Sequence, residues 1–446
     1  MNKSEAKTTH TLLKRIGAHF GKLENIGNLG GRREDGFDRP AWSHEETRAI
    51  KYIQGMAEKA GMVSSWDGVG NLFLTTPGHG NEIVQVGSHM DTVPAGGNYD
   101  GAAGIVCGLE AIIPLKPMWE RLSRKLQLVI WRGEESASFN AVCKGSEAAF
   151  GLCHPDILLR TNHGVSLSEA ITAQGFDPSF IAEKKPTLTP EQTEKIAAYL
   201  ELHIEQAKRL QTDGVPIGVV SSIRGTVRLR IEVTGEANHS GGTPMGIRYR
   251  KDANLAMAYM QVAMHEACSY ALEKGLDLVQ TVGLLNDDEE FNKNHTRIFS
   301  NSLTKVSPYG YFAVDIRSNN NAFLAEYVKN TKKIIQEKAE RFNVRVKITE
   351  ILRLAPIEKL DPAVQHSIEA SCRDLKIPFI EMPSGAIHDA AVVASQKKKN
   401  GNPIPVGMIF IPCRDGISHN PAEYASPEDL ARGAQVLSNV LYRLAR

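Results

Sequence analysis

Residues 82–94 read Glu82-Ile83-Val84-Gln85-Val86-Gly87-Ser88-His89-Met90-Asp91-Thr92-Val93-Pro94. The first six are almost wholly apolar, as suits a strand covered on both faces, and a His-x-Asp pair follows directly where such a strand ends. Leu126-Gln127-Leu128-Val129-Ile130-Trp131 repeats the buried style. With helix-like stretches at 45–60 and 102–113, these runs make the alternation expected of a layered α/β sheet.

Near residue 218 the pattern changes. In 226–233, Val227, Leu229, Ile231 and Val233 alternate with Arg228, Arg230 and Glu232, which is the signature of a strand with one wet face. An amphipathic helix at 252–273, strands at 278–285 and 311–316, a helix at 322–342 and a strand at 344–352 complete the order β-α-β-β-α-β, a small α/β sandwich with one open sheet face. The buried style returns at 406–411. We therefore expect a larger domain made of 1–217 and 356–446, interrupted by a smaller one at 218–355. Lys397 to Lys399 reads as a solvated loop.

The chain has 446 residues, enough for two or three domains with a substantial core. Its apolar share of 42% and charged share of 23% are those of a globular protein. A net charge of +1 supplies no field for gathering phosphates or acidic membranes, so neither nucleic acid nor a membrane is expected as a partner. Cys107, Cys143, Cys153, Cys268, Cys372 and Cys413 show no framework spacing and read as reduced thiols. The N-terminal stretch has no signal-like apolar run, and no uninterrupted apolar stretch reaches the roughly 18 residues a membrane span needs. A cytoplasmic protein is the expectation.

Five clusters carry candidate chemistry. His89 and Asp91 precede a glycine-rich turn containing Asp100. Imidazole and carboxylate suit a borderline-soft divalent ion, with Asp91 able to hold the second nitrogen of His89; a strand-end His with a capping Asp is the plainer reading. Glu134 and Glu135 follow the 126–131 strand, and adjacent acids there repel unless a cation lies between them or one is protonated. A solvated acidic turn also fits them. His203 and Gln206 sit in Glu201-Leu202-His203-Ile204-Glu205-Gln206, His239 in Asn238-His239-Ser240-Gly241-Gly242-Thr243-Pro244-Met245, and His419 in Ser418-His419-Asn420-Pro421-Ala422-Glu423. Taken singly, each is equally a structural histidine or a hairpin. Taken together they offer enough imidazoles and carboxylates for a binuclear metal site.

In that combination and order, from about Gly27 to the C-terminus, the motifs resemble the amidohydrolase branch of the aminoacylase and carboxypeptidase-like binuclear metallopeptidases. The branch includes N-carbamoyl-L-amino-acid hydrolases, allantoate amidohydrolases and β-ureidopropionases. The resemblance implies a layered, mixed-sheet, metallopeptidase-like catalytic domain with an inserted βαββαβ lid and dimerisation domain. It implies two divalent ions per subunit, zinc or manganese, cobalt or nickel: His89 and His203 on one, Glu135 and His419 on the other, Asp100 bridging, and Glu134 as general base. It assigns His239 to the oxyanion across a homodimer, and Gln206, Arg317 and His388 to the substrate's polar groups. Arg317 suits a carboxylate because its planar fork makes two parallel charge-assisted bonds, although a surface ion pair is the structural alternative.

Peptidase relatives carry an acidic residue where this chain has His203, which favours linear amide and ureide substrates over dipeptides. Three positions depart from the pattern. Thr304 replaces an Asn, Ile387 a glycine before His388, and Ser138 an Arg. The implied function is hydrolysis of the C–N bond of an N-carbamoyl-amino acid or related ureido acid. An N-acyl-amino-acid deacylase or dipeptidase with the same site is the alternative, and a metal-stabilised binding protein without activity is a second.

Overall fold

The computed structural model describes residues 3–286 and 301–446. In chain order its main strands are β1 (Val63–Trp66), β2 (Leu72–Thr75), β3 (Ile83–His89), β4 (Lys125–Trp131), β5 (Ile196–Ile204), β6 (Ile217–Ile223), β7 (Gly225–Thr234), β8 (Val279–Leu285), β9 (Tyr309–Ser318), β10 (Arg345–Leu354), β11 (Phe379–Ser384) and β12 (Val406–Ile411). The helices used below are α1 (Lys3–Leu23), α2 (His44–Ala60), α3 (Ala102–Ile112), α4 (Ala253–Glu273), α5 (Asn321–Arg341), α6 (Pro362–Leu375), α7 (Asp389–Ala394) and α8 (Pro427–Ala445).

The chain divides into two compact units, Met1–Ser221 with Lys359–Arg446, and Ser222–Glu358. The second begins a few residues later than the change of pattern at 218, because β6 pairs antiparallel with β12 and so carries 217–221 into the first unit's sheet. At the other edge Ile223 and Ile357 exchange main-chain hydrogen bonds of 2.9 and 3.0 Å, so the second unit starts and finishes at neighbouring points.

In the first unit, eight of the described strands form a mixed sheet in the order β1-β2-β4-β3-β5-β12-β6-β11. Its centre, β4-β3-β5-β12, is parallel throughout. Parallel strands need cover on both faces, and β12 is buried along its whole length. Every residue of α3 is buried, and α8 and α1 pack along it in one apolar core. The run Ala102–Arg121 is long and apolar enough to span a bilayer by composition, yet 67% of its apolar 18-residue window is buried, so its apolarity is that of a core helix. Ends are fixed locally. Ser43 Oγ accepts the Glu46 N–H at 3.0 Å to cap α2, and Ser426 Oγ accepts that of Asp429 at 3.0 Å to cap α8. The parallel centre brings the C-terminal ends of β3, β4, β5 and β12 to one edge of the sheet, where ligands of open α/β sheets gather.

The second unit is an antiparallel sheet in the order β8-β9-β7-β10. Val227, Leu229, Ile231 and Val233 are buried against Met257, Met260 and Met264 of α4 and Leu324, Val328 and Ile335 of α5. Asp252 caps α4 by accepting the Leu255 N–H at 3.1 Å. The other sheet face carries Arg228, Arg230 and Glu232, half-buried, as the alternation requires.

Candidate metal centre

Four strand ends supply the cluster. His89 is the last residue of β3, His203 the penultimate residue of β5, Glu134 and Glu135 follow β4, and His419 follows β12. Asp100 comes from the turn between β3 and α3 and lies in the middle. Its Oδ1 is 3.4 Å from His89 Nε2 and 3.1 Å from His203 Nε2, and its Oδ2 is 3.5 Å from His419 Nε2. Glu135 Oε1 is 3.3 Å from His419 Nε2. Two groups with ligand atoms within 4.8 Å of one another result: His89, Asp100 and His203, then Asp100, Glu135 and His419.

The ring orientations show what these atoms offer. His89 Nδ1 lies 3.1 Å from the Asp91 main-chain oxygen, and His203 Nδ1 2.9 Å from that of Ile204, so each ring donates through Nδ1 and turns the Nε2 lone pair inward. Both Nε2 atoms lie near the acceptor oxygen Asp100 Oδ1, and that of His203 also accepts the Gly101 N–H at 3.3 Å. Buried His89 Nε2 has no hydrogen-bond partner. Acceptors meeting acceptors in a buried space require a cation between them, and the mixed imidazole and carboxylate set suits zinc-like or manganese-like ions. The residues present therefore fit a divalent metal.

The electrostatics agree. Burial presses His89 toward neutrality, but Asp100, Asp91 and Glu134 overcome it and hold its pKa well above the ordinary value. His203 rises for the same reason, through Asp100. Hydrogen bonds to Asp100 and Glu135 push His419 up to about 11. Burial would raise Asp100, yet the three imidazoles pull it well below the carboxylate range. Burial raises Glu134 strongly; His89 opposes, while Glu135, Asp389 and Asp91 add to the rise. With only protons available, the imidazoles hold them; a divalent ion takes their place.

The surroundings hold this geometry. Gly101 has φ +63°, and a Cβ there would sit 2.5 Å from the His89 ring, so the turn after Asp100 can pass only without a side chain. Asp91 Oδ1 and Oδ2 accept the N–H groups of Glu134 and Glu135 at 3.2 and 3.0 Å. Cys143 Sγ stands 3.7 Å from Glu134 Oε1. Beneath β4, buried Arg132 donates through Nε and Nη2 to Glu46 Oε2 at 2.9 and 2.6 Å. Arg39, also buried, ties the loop after β3 through Met90 O at 3.1 Å and Asn98 Oδ1 at 2.8 Å. His388 packs against His203 with ring centroids 4.5 Å apart and meets Ser384 Oγ at 2.9 Å. Gln206, at φ +55°, donates to Asp100 Oδ2 at 2.6 Å, and its buried Oε1 has no partner.

Two candidates belong to the second unit. His239 is exposed, and its Nδ1 accepts the N–H groups of Gly241 and Gly242 at 3.1 and 2.9 Å, which makes Nε2–H the ring's donor. Arg317 pairs through its fork with Asp315 at 2.9 and 3.1 Å, the ion pair that was the structural alternative. Of the departures, Ser138 accepts the Ala41 N–H at 3.1 Å, Thr304 O accepts that of Ser240 at 2.9 Å, and Ile387 is half-buried beside His388. Sequence reasoning quoted Ser418, Glu423 and Glu201 inside motifs but gave them no role. Asp389 stood beside His388 without a role, and Cys143 was read only as a reduced thiol.

The model of peptidase family M20/M25/M40 matches residues 86–443. The chain belongs to this family. The N-carbamoyl-L-amino acid amidohydrolase of Geobacillus stearothermophilus is 31% identical over 435 residues, spanning 95% of this chain and 97% of the relative. The allantoate amidohydrolase of Escherichia coli (strain K12) is 31% identical over 424 residues, spanning 94% and 96%. A crystal structure of an amidase of the hydantoinase/carbamoylase family from Burkholderia multivorans superposes with a TM-score of 0.82 at 27% identity, covering 97% of this chain and 98% of that one. This M20 chain thus has the expected mixed α/β fold and amidohydrolase relatives. The family is metal-dependent, and the two groups around Asp100 are its candidate ligands here.

Proposed function

We propose that this M20 member is a two-metal amidohydrolase that hydrolyses a C–N bond of a small N-carbamoyl-amino acid or related ureido acid. One observation carries the reading: the two oxygens of Asp100 face two separate ligand groups, and Glu134 stands beside them without a place in either. We assign His89, Asp100 and His203 to one ion and Asp100, Glu135 and His419 to the other. Bound there, the two ions supply positive charge that acidifies water and polarises the scissile carbonyl.

Glu134 takes a proton from the attacking water and delivers it to the departing nitrogen, a shuttle for which a raised carboxylate pKa is suited. Asp91 aims that carboxylate by holding its main chain. Gln206 Oε1, buried and still able to accept, fits a substrate N–H, and His388 lines the same wall. The fork of Arg317 is assigned to the substrate carboxylate, in exchange for part of its pairing with Asp315. The Nε2–H of His239, presented across a homodimer, is assigned to the oxyanion. The dimer reading is supported by Leu255, Tyr259, Val262, Tyr270 and Leu272 of α4, large apolar side chains left exposed, and by β8, which is an edge of its sheet among the described strands.

The deciding assay follows ammonia release by metal-restored protein from N-carbamoyl-amino acids, allantoate and ureidoglycolate, and in parallel the release of free amino acid from N-acyl-amino acids and dipeptides. Turnover confined to the ureido set is the expected result. Turnover confined to acyl or peptide substrates overturns it.

A further inference from the structure

The turn that presents His419 also carries a carboxylate with no assigned task. Glu423 is 1% exposed, and its Oε1 accepts the main-chain N–H groups of both Tyr99 and Asp100 at 2.9 Å each. Ser418 Oγ lies 2.9 Å from its Oε2 and 2.8 Å from Asp100 Oδ2, so the single hydroxyl proton is shared between the two carboxylates. Glu423 thus grips Asp100 twice, by the backbone directly and by the carboxylate through Ser418. The chain makes room for it: a Cβ at position 97 would lie 2.2 Å from Glu423 Oε1, and that residue is glycine. The turn is itself braced, since Glu423 donates its N–H to Asn420 O at 3.0 Å and Arg33 Nη2 donates to Glu423 O at 3.4 Å and to Tyr99 OH at 3.1 Å.

These contacts are lopsided. Ser418 touches Oδ2, the oxygen that faces His419, and leaves Oδ1 to His89 and His203. His419 is itself one residue from Ser418, with φ +55°. We propose that Glu423, acting with Ser418, is a positioning residue for the bridging carboxylate and sets the affinity of the Glu135–Asp100–His419 ion in particular. A buried carboxylate that fixes a ligand's rotation determines how well its second oxygen meets an ion, and losing such a partner typically costs about 10- to 100-fold in affinity. The inference rests on the two-ion reading above.

The test uses full-length protein stripped with chelator and titrated with Mn²⁺ and with Co²⁺, read by calorimetry and elemental stoichiometry. Wild type takes up two ions. Glu423→Ala and Ser418→Ala keep one ion at wild-type affinity and bind the other about 10- to 100-fold more weakly. Glu423→Gln recovers most of the loss, because the amide oxygen still accepts from Tyr99 and Asp100 and its NH₂ donates to Ser418. Two ions at wild-type affinity in both alanine variants, equal weakening of both ions, or a glutamine variant no better than alanine would overturn the proposal. Ser418 is half-buried, so its variant keeps the test valid where Glu423→Ala fails to fold. A wild-type protein that binds fewer than two ions removes the two-ion reading itself, and this inference with it.

Discussion

Asp91 Oδ1 accepts the main-chain N–H of Glu134 at 3.2 Å, joining the turn after β3 to the end of β4. The same oxygen lies 3.3 Å from His89 Nδ1, so one carboxylate orients both a candidate ligand and the candidate base. Asp91→Ala should weaken ion binding about 10- to 100-fold and lower turnover as well. Asp91→Asn should share most of the loss, because an amide turns a donor toward an N–H. Calorimetric titration and kcat on the same preparations check this; wild-type values for the asparagine variant would remove Asp91 from the centre.

Glu134→Gln preserves shape and removes the proton acceptor. Turnover should fall by about 10² to 10⁴ with both ions retained. Metal analysis decides between the roles, since loss of an ion in this variant would make Glu134 a ligand.

His239→Ala should cost roughly 10² to 10³ in turnover while the ion content stays the same. Its Nδ1 is occupied by Gly241 and Gly242, so the lost group is the Nε2–H donor. Near-normal kcat in this variant would refute the oxyanion role.

Removing the ions should lower Tm, and restoring one at 100 times its Kd should return about 2.7 kcal/mol for that site. The sign of the pH effect follows from His89, His203 and His419, all of which hold protons more tightly than an ordinary imidazole. An ion must displace those protons, so its affinity falls as pH falls. Titrations at two pH values, with proton release followed in buffers of different ionisation enthalpy, give the check.

Arg132 and Glu46 form an ion pair with neither side chain exposed. Arg132→Met strands a buried carboxylate and should destabilise the protein by about 3 to 5 kcal/mol, most of it recovered by adding Glu46→Leu. Urea unfolding of the single and double variants measures both steps. A single-variant cost below about 1 kcal/mol would show that Glu46 is relieved in another way.

The parts of this architecture legible in the sequence are those with a period. Val227 to Val233 alternate, and the strand has one core face; 406–411 is apolar throughout, and β12 is buried throughout. Helix edges were legible to within a residue or two where a capping side chain marks them, as Asp252 does. The clustering of His89, Asp100, Glu135, His203 and His419 was not legible from spacing, because the parallel register of β4-β3-β5-β12 gathers them across the chain. It took the combination of five motifs, and their resemblance to a family, to raise the idea. The task of Glu423 was not legible for a physical reason: its partners are main-chain N–H groups more than 300 positions away, which leave no residue-type signature. The pairing of Arg317 with Asp315 was legible only as an alternative, since two residues apart on a strand share a face whether or not they touch.

The hydrogen-bonded meeting of Ile223 and Ile357 gives the insertion the topology of a detachable cassette. A segment whose two ends are neighbours imposes no stretch on its host when it is exchanged, lengthened or excised by gene fusion. Arg317 and His239 ride on that cassette, whereas the ligand-bearing strands lie outside it. On the proposed assignment, the contacts made by Arg317 and His239 can be exchanged between relatives while the ion-holding sheet, with Gln206 and His388, is inherited intact.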